Sequence, residues 1–235
     1  MASTDDLSKS NVSKEEKDKL VAEIIRYVLF KTRQSNGCPI KREELTKLIT
    51  KSYHHRSLPA LIINEASEKL SSIFGYEMKE LQRSRPSSNR QSRASQQSFA
   101  DSKSYILKSK LPPDIYKKYV EDKETSHISG LTFAVISIIH LAGGKIPEEN
   151  FWHHLRRMGF SENDENHAVF GNTKQTLDTL VQQRFIQKEK VNGAEGNVFI
   201  YELAERALEA SVYEKLKDYI AEILKKDAGA AEEDE

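Results

Sequence analysis

The sequence predicts a mainly α-helical chain with small β-hairpin wings, arranged as two tandem winged-helix domains. Each half of the 235-residue chain carries three helical patterns followed by two strand-like segments. The two halves also align at a constant offset, as expected for a repeated unit. Ten Gly and six Pro are too few for a turn-rich β architecture. A chain of this length can form two ordinary domains, each with its own core.

In the first half, Ser13 followed by Glu16 forms a capping-box pattern, which predicts the start of a helix. Leu20, Ile24 and Val28 then mark one apolar helical face. The elements predicted here are a helix ending near Gly37, a short helix around Leu45–Ile49, a helix from Pro59 to Gly75, and strands at Tyr76–Leu81 and Tyr105–Lys110.

The second half repeats this order. The apolar run from Leu131 to Ala142 has 12 residues, whereas a bilayer span needs about 20, so we expect a buried core helix of a soluble protein. The predicted elements are helices at Ser129–Leu141, from Pro147 through Met158 and at Thr173–Phe185, strands at Ile186–Val191 and Val198–Leu203 around a hairpin at Asn192–Gly196, and an amphipathic helix through Leu208–Leu224.

The halves align weakly at an offset of 106 residues. Four positions correspond, three of them apolar in both halves: Gly37, Ile40, Leu45 and Ile49 with Gly143, Ile146, Phe151 and Leu155. This alignment agrees with the repeated element order and supports a tandem arrangement.

Composition sets the predicted boundaries. Residues 83–103 are rich in Ser and Arg and poor in apolar side chains, which predicts a disordered, net-positive segment at the tip of the first wing. The predicted organisation is a flexible N-terminus at 1–13, a first winged helix at 14–111 with a disordered insertion at 83–103, a linker at 112–127, a second winged helix with its C-terminal helix at 128–226, and an acidic tail at 227–235.

Charge and cysteine usage exclude several classes. With 36 Lys+Arg against 36 Asp+Glu the net charge is zero, which argues against a wholly basic nucleic-acid binder but not against a local basic face. The single Cys38 cannot form an internal disulfide, and the polar, acidic N-terminus is no signal peptide, so we expect an intracellular protein.

Catalytic patterns are missing from the sequence. His153 and His154 are adjacent on a predicted helix, so their side chains point in different directions, and His54–His55 has the same defect. His167, near Asp164 and Glu165, forms only a short loop cluster. No HExxH, Gly-rich phosphate loop or nucleophile elbow occurs. We expect no enzymatic activity, cofactor, metal, membrane contact or small-molecule substrate.

Longer motifs point to a family. They are SSIFGYEMKEL at Ser71–Leu81 with SYILKSKL at Ser104–Leu111, SGLTFAVISIIHLAGGKIPEENFWHHLRRMGF at Ser129–Phe160, and HAVFGNTKQTLDTLVQQRFI at His167–Ile186. With these motifs the chain resembles the melanoma-antigen (MAGE) homology domain over about residues 17–211. Within this family it is most similar to the ancestral-type branch, whose member is a non-SMC subunit of the Smc-five/six complex.

The resemblance implies a non-catalytic nuclear, chromosome-associated scaffold with tandem winged helices. It further implies three partners: a RING-type ubiquitin-ligase subunit, which it stimulates, a kleisin subunit, and double-stranded DNA bound weakly and without sequence specificity through the second winged helix. The family's di-leucine motif for the RING partner corresponds here to Val28 and Leu29. Its Trp-Gly-Pro-Arg-Ala motif is replaced by Leu203–Ala207, in which only Arg206 and Ala207 carry over.

Candidate DNA-contacting cations lie on the predicted second and third helices and the wing of the second domain. They are Lys174, Arg184, Lys188, Lys190, Arg156 and Arg157. Lys188 and Lys190 alternate along a strand and so share one face. The nearby acids Asp178, Glu189 and Glu195 leave an ordinary solvated surface as the competing interpretation.

Candidates for the kleisin interface are Phe185, Ile200 and Tyr201, for which packing in the hairpin core is the stronger interpretation. Val28 and Leu29 are equally consistent with core positions. The Ser/Arg segment is a candidate phosphosite cluster or DNA tether, although a plain disordered loop is the simpler interpretation.

Two other functions remain open from the sequence. A free-standing winged-helix transcription regulator needs a third helix that reads bases, and the run Lys174–Thr179, with one basic and one acidic residue, disfavours it. A substrate adaptor of a ubiquitin ligase, without a genome-maintenance role, is the other alternative.

Overall fold

The computed structural model describes residues 12–51, 53, 57–81, 103–120, 126–193 and 196–232. They separate into two compact units, the first ending at Val120 and the second following it. Each unit combines helices with a three-stranded antiparallel sheet. This confirms the predicted fold class of a mainly α chain built from tandem winged helices with small hairpin wings.

The first unit begins with a capped helix. The Ser13 Oγ accepts from the Glu16 N–H at 3.3 Å, and a Glu16 carboxylate oxygen accepts from the Ser13 N–H at 2.9 Å, so the predicted capping box is formed. The elements are α1 (Lys14–Gln34), β1 (Ile40–Lys41), α2 (Arg42–Thr50), α3 (Leu58–Ser72), β2 (Tyr76–Leu81), β3 (Ser104–Ser109) and α4 (Pro113–Tyr119), with sheet order β1-β3-β2.

The core of the first unit lies between its first three helices and the sheet. The apolar stripe of α1 is buried there, with Ile24 and Val28 each 1% exposed. Leu45 and Ile49 of α2 and Ile62 of α3 are fully buried against it. The helical period read from the sequence therefore marks the buried face.

The second unit consists of α5 (Ser126–Leu141), β4 (Lys145–Pro147), α6 (Glu148–Arg157), α7 (Thr173–Gln182), β5 (Ile186–Gly193), β6 (Gly196–Leu203) and α8 (Ala210–Glu232), with sheet order β4-β6-β5. Its core is centred on Phe151, whose ring centroid lies 4.6 Å from that of Tyr201, with Trp152 beside it at 3% exposure. Val135, Ile136 and Ile139 of α5 are also buried, as predicted for this apolar run.

The 106-residue repeat is present in three dimensions. Ile40 pairs with Tyr105 in the first sheet, and Ile146 pairs with Tyr201 in the second. In both units the short first strand leads directly into the second helix. The weak sequence alignment therefore marks equivalent positions of two similar folds.

Several elements differ from the expectations. The two- and three-residue strands β1 and β4 are too short to produce an alternating pattern, and α4 lies inside the predicted linker. The predicted third helix of the second domain stops at Gln182, because Arg184 adopts a left-handed φ of 63° and the Phe185 N–H donates to the Leu180 carbonyl at 3.1 Å, which caps the helix end.

At the C-terminus, α8 extends to Glu232, so a helix occupies most of the predicted tail. The predicted disordered insertion falls almost entirely on 82–102, outside the described residues.

Among the residues that are described, every helix is too short or too polar to cross a membrane. The domain boundaries drawn from composition remain predictions.

Candidate nucleic-acid and partner interfaces

One face of the β5–β6 hairpin combines cations with aromatic rings. Lys188 is paired in register with Tyr201, and Lys190 with Phe199, and directly opposed residues of an antiparallel pair share a face. Tyr201 is 4% exposed and lies in the core, whereas Phe199 is 39% exposed. We call these four residues the wing face, which runs from the core towards solvent.

Lys188 is held at the middle of the wing face. Its Nζ lies 2.5 Å from the Glu148 Oε1, 4.6 Å from the centroid of the Phe199 ring and 5.3 Å from that of Tyr201. Burial lowers the pKa of Lys188, but the hydrogen bond and charge of Glu148, together with Tyr201, outweigh it, so the pKa is raised overall. Lys188 is therefore charged at neutral pH, and Glu148 neutralises it locally.

Helix α7 borders this face. It packs against β5, the strand that carries Lys188 and Lys190. The pKa of Tyr201 is raised mainly by burial, and the charge of Asp178 on α7 contributes to the same direction. Lys174 lies one helical turn before Asp178, on the same side of α7, and is exposed. Three of the six candidate DNA-contacting cations, Lys174, Lys188 and Lys190, therefore lie on one side of the unit.

The other three candidate cations lie elsewhere. Arg156 and Arg157 are exposed at the C-terminal end of α6, about 12 Å along the helix from Glu148. Arg184 precedes β5, and its guanidinium lies 3.4 Å from the Glu205 carboxylate. About 20 Å of extended chain separates it from Lys190. Arg184 belongs to the base of the hairpin and not to its wing face.

The kleisin candidates do not form one surface. Ile200 and Tyr201 are neighbours on β6 and point to opposite faces of the sheet. Tyr201 is a core residue, and Phe185 is half-buried with the Arg206 guanidinium 4.1 Å above its ring. Arg206 also donates from Nη1 to the Gln183 carbonyl at 3.1 Å, so this carried-over family residue fastens the turn before β5. The kleisin assignment stays a prediction.

The RING-partner candidates lie near the C-terminal end of α1. Val28 is 1% exposed and packs in the core, whereas Leu29 is half-buried. The next residue, Phe30, is 64% exposed. It borders a groove of about 300 Å³ that is lined by Glu23, Arg26, Tyr27, Phe30, Lys31, Gln34 and Leu48.

Sequence reasoning missed Phe30, Glu148 and Phe199. Phe30 follows the apolar pair and continues the hydrophobic run, so the run alone does not indicate that it turns outward. The sequence does not show that Lys190 lies opposite Phe199, because this requires the register of the two strands. The Asn192–Gly196 turn predicts that register only to within a residue or two. Glu148 and Lys188 are 40 residues apart, a contact that only the fold reveals.

The histidine loop has a structural arrangement. His167 Nδ1 accepts from the backbone N–H groups of Val169 and Phe170, at 3.2 and 3.3 Å, and its ring stacks on Phe160 with centroids 5.2 Å apart. Among the described residues, no group of three or more His, Cys, Asp or Glu side chains is arranged to hold a metal ion.

The profile of the MAGE homology domain matches residues 24–210. The chain is 28% identical over 172 residues to the mouse (Mus musculus) Non-structural maintenance of chromosomes element 3 homolog, covering 73% of this chain and 54% of that protein. It is 26% identical over 207 residues to the human Melanoma-associated antigen 8, covering 88% of this chain and 58% of that protein. It thus spans just over half the length of these relatives.

The fold is similar to that of a solved chain from the Nse1-Nse3-Nse4 complex. The TM-score is 0.72 with 22% sequence identity, and the alignment covers 91% of this chain and 92% of that one. The resemblance drawn from the motifs, including the likeness to the third non-SMC element, is therefore confirmed. With a family profile that spans most of both units, this chain belongs to the MAGE homology domain family.

Proposed function

We propose that this chain is a non-catalytic scaffold subunit of an Smc-five/six-type complex, equivalent to its third non-SMC element. It holds a RING-type ubiquitin-ligase subunit, which it stimulates, and a kleisin subunit, and it acts on nuclear chromosomes. The observation that carries the proposal is the likeness in fold, over nine-tenths of the chain, to a chain from the Nse1-Nse3-Nse4 complex. The similarity to element 3 homologs over 73% of the chain supports the same assignment.

The proposal is tested by purifying the tagged chain from its own cells and identifying the associated proteins. Recovery of Smc proteins, a kleisin and a RING protein in stoichiometric amounts is the expected result. A single ubiquitin ligase without Smc proteins would instead indicate the substrate adaptor, a role consistent with the similarity to Melanoma-associated antigen 8. Recovery of neither would leave the transcription regulator as the better account.

The proposed DNA contact is made by the second unit. Lys174 and Lys190 are exposed cations on the side of the wing face, and neither has an ion-pair partner among the described residues. The half-exposed Phe199 next to Lys190 offers an apolar surface for a sugar or base. Lysine contacts to phosphate carry no sequence information, so the contact is to the backbone.

Replacement of Lys174 or Lys190 by Ala tests this contact. Each substitution should weaken duplex binding about equally on unrelated sequences and reduce the slope of log K against log salt by about 1. Fluorescence anisotropy over a salt series measures both quantities. Lys47→Ala, at an exposed position on α2 of the first unit, is the matched control. Unchanged affinity in both wing-side variants at low salt would remove the DNA contact from this surface.

The proposed RING contact uses the groove on α1. Phe30 supplies an exposed aromatic ring, Leu48 supplies partly buried apolar surface, and Glu23 and Arg26 supply charged rims. Leu29, one residue before Phe30, packs against the core and does not line the groove. An exposed aromatic side chain at the edge of an apolar groove is a typical anchor for a protein partner. Val28 supports this surface from within the core.

A further inference from the structure

Within the proposed DNA surface, the Glu148 carboxylate occupies a lysine that a phosphate could otherwise bind. Glu148 is the first residue of α6, where its carboxylate is stabilised by the positive end of the ten-residue helix. The same carboxylate binds Lys188 at 2.5 Å. Both side chains are partly open to solvent, at 24% and 29% exposure, so an incoming anion can reach this pair.

The arrangement is specific for one anion position. The ammonium group of Lys188 also lies over the rings of Phe199 and Tyr201, so moving it away from Glu148 gives up these contacts as well. A phosphate that binds Lys188 in this position therefore competes with the Glu148 carboxylate for the ammonium group. A partly exposed ion pair adds little to stability, so an anion can displace the carboxylate from Lys188 at a small cost in folding free energy.

We propose that Glu148 is an autoinhibitory residue that occupies the position of a nucleic-acid phosphate on Lys188 and so limits the affinity of the second winged helix for DNA. The inference rests on the proposed DNA contact and concerns its regulation. In the unmodified chain Lys174 and Lys190 contact phosphates, whereas Lys188 does not. Displacement of the Glu148 carboxylate adds Lys188 as a third contact.

Glu148→Gln, which keeps the shape of the side chain and removes its charge, tests the inference in the full chain. Duplex affinity at low salt should rise about three- to tenfold, and the slope of log K against log salt should steepen by about 0.9, the contribution of one added phosphate contact. Glu149→Gln is the matched control, because it removes the same charge from the adjacent, exposed position. It should leave the slope unchanged.

Lys188→Ala distinguishes a failure of the proposed autoinhibition from a failure of the proposed DNA contact. In the unmodified background it should change affinity less than twofold, and in the Glu148→Gln background it should abolish the gain. Equal effects of Glu148→Gln and Glu149→Gln, or a loss in Lys188→Ala as large as in Lys190→Ala, would overturn the autoinhibition and leave the DNA contact standing. Absence of duplex binding in all variants would overturn both. Circular dichroism melting checks that each variant is folded.

Discussion

At the scale of single residues, Tyr27 joins two helices of the first unit. Its hydroxyl donates to the Glu44 Oε2 at 2.8 Å. Burial, the hydrogen bond to Glu44 and the charge of Glu44 together raise the pKa of Tyr27 from 10.0 to about 12. The neutral phenol is therefore the form that the folded state favours, and its ionisation opposes the contact.

This pKa predicts a pH dependence of stability. Because the folded-state pKa lies above the unfolded value, the contribution is complete below pH 10 and is lost as the pH rises from 10 towards 12. Tyr27→Phe should lower the free energy of unfolding by about 1 kcal/mol at pH 7 and flatten the alkaline decline. Urea unfolding at a series of pH values measures both effects. An alkaline decline identical to that of the unmodified chain would contradict the assignment.

Tyr116→Phe is a suitable control for the loss at neutral pH, since Tyr116 is 40% exposed on α4. It should change the free energy of unfolding at pH 7 by no more than about 0.5 kcal/mol. The hydrogen bond of Tyr27 could not be read from the sequence. Tyr27 and Glu44 are 17 residues apart, and their contact depends on how α1 crosses α2.

At the scale of elements, α1 has a buried and an exposed part in its last turns. Val28 faces the core, and Phe30, two residues later, faces the groove. A helix advances about 100° per residue, so adjacent positions of one apolar run serve different surfaces. The family resemblance points to this region of α1, and the structure separates its core residue from its exposed one.

Two substitutions on α1 are predicted to have different effects. Val28→Ala should lower the free energy of unfolding by about 2 kcal/mol through loss of buried methyl groups. Phe30→Ala should leave stability nearly unchanged and weaken binding of the RING subunit about tenfold. Thermal unfolding and isothermal titration calorimetry with the purified RING subunit measure the two quantities. Full RING binding by a folded Phe30→Ala variant would exclude the groove as the interface.

The long helices and the β5–β6 hairpin could be predicted from the sequence because their periodicity and turn residues are local signals. Helix α5, for example, follows from one apolar run, and the β5–β6 hairpin from its central glycines. The strands β1 and β4 have two and three residues and exist because each pairs with a distant strand. The end of α7 depends on Arg184 in a left-handed conformation, which glycine usually adopts.

At the scale of the whole molecule, the two units repeat one arrangement around a buried tyrosine. In the second unit, Lys188 on β5 lies opposite Tyr201, and Glu148 at the start of α6 forms an ion pair with Lys188. The offset of 106 residues relates this helix start to Arg42 in the first unit, which contributes a hydrogen bond to Tyr105.

The charges in the first unit are reversed. Glu80 lies opposite Tyr105 on the wing strand and forms an ion pair with Lys103 at 2.9 Å. Only the second unit therefore has a cation at this wing position and an acid at the helix start. The zero net charge of the chain conceals this difference between the units. The difference is a reason to assign the proposed DNA contact to the second unit alone.

Trp152 gives the two-unit organisation a spectroscopic consequence. It is the only tryptophan of the chain, and it lies buried in the second core beside Phe151. Its emission therefore reports unfolding of the second unit, whereas the helical circular dichroism signal reports unfolding of both. In a Val28→Ala variant, an emission midpoint that stays in place while the dichroism curve divides into two steps would demonstrate that the units melt independently, without any added label.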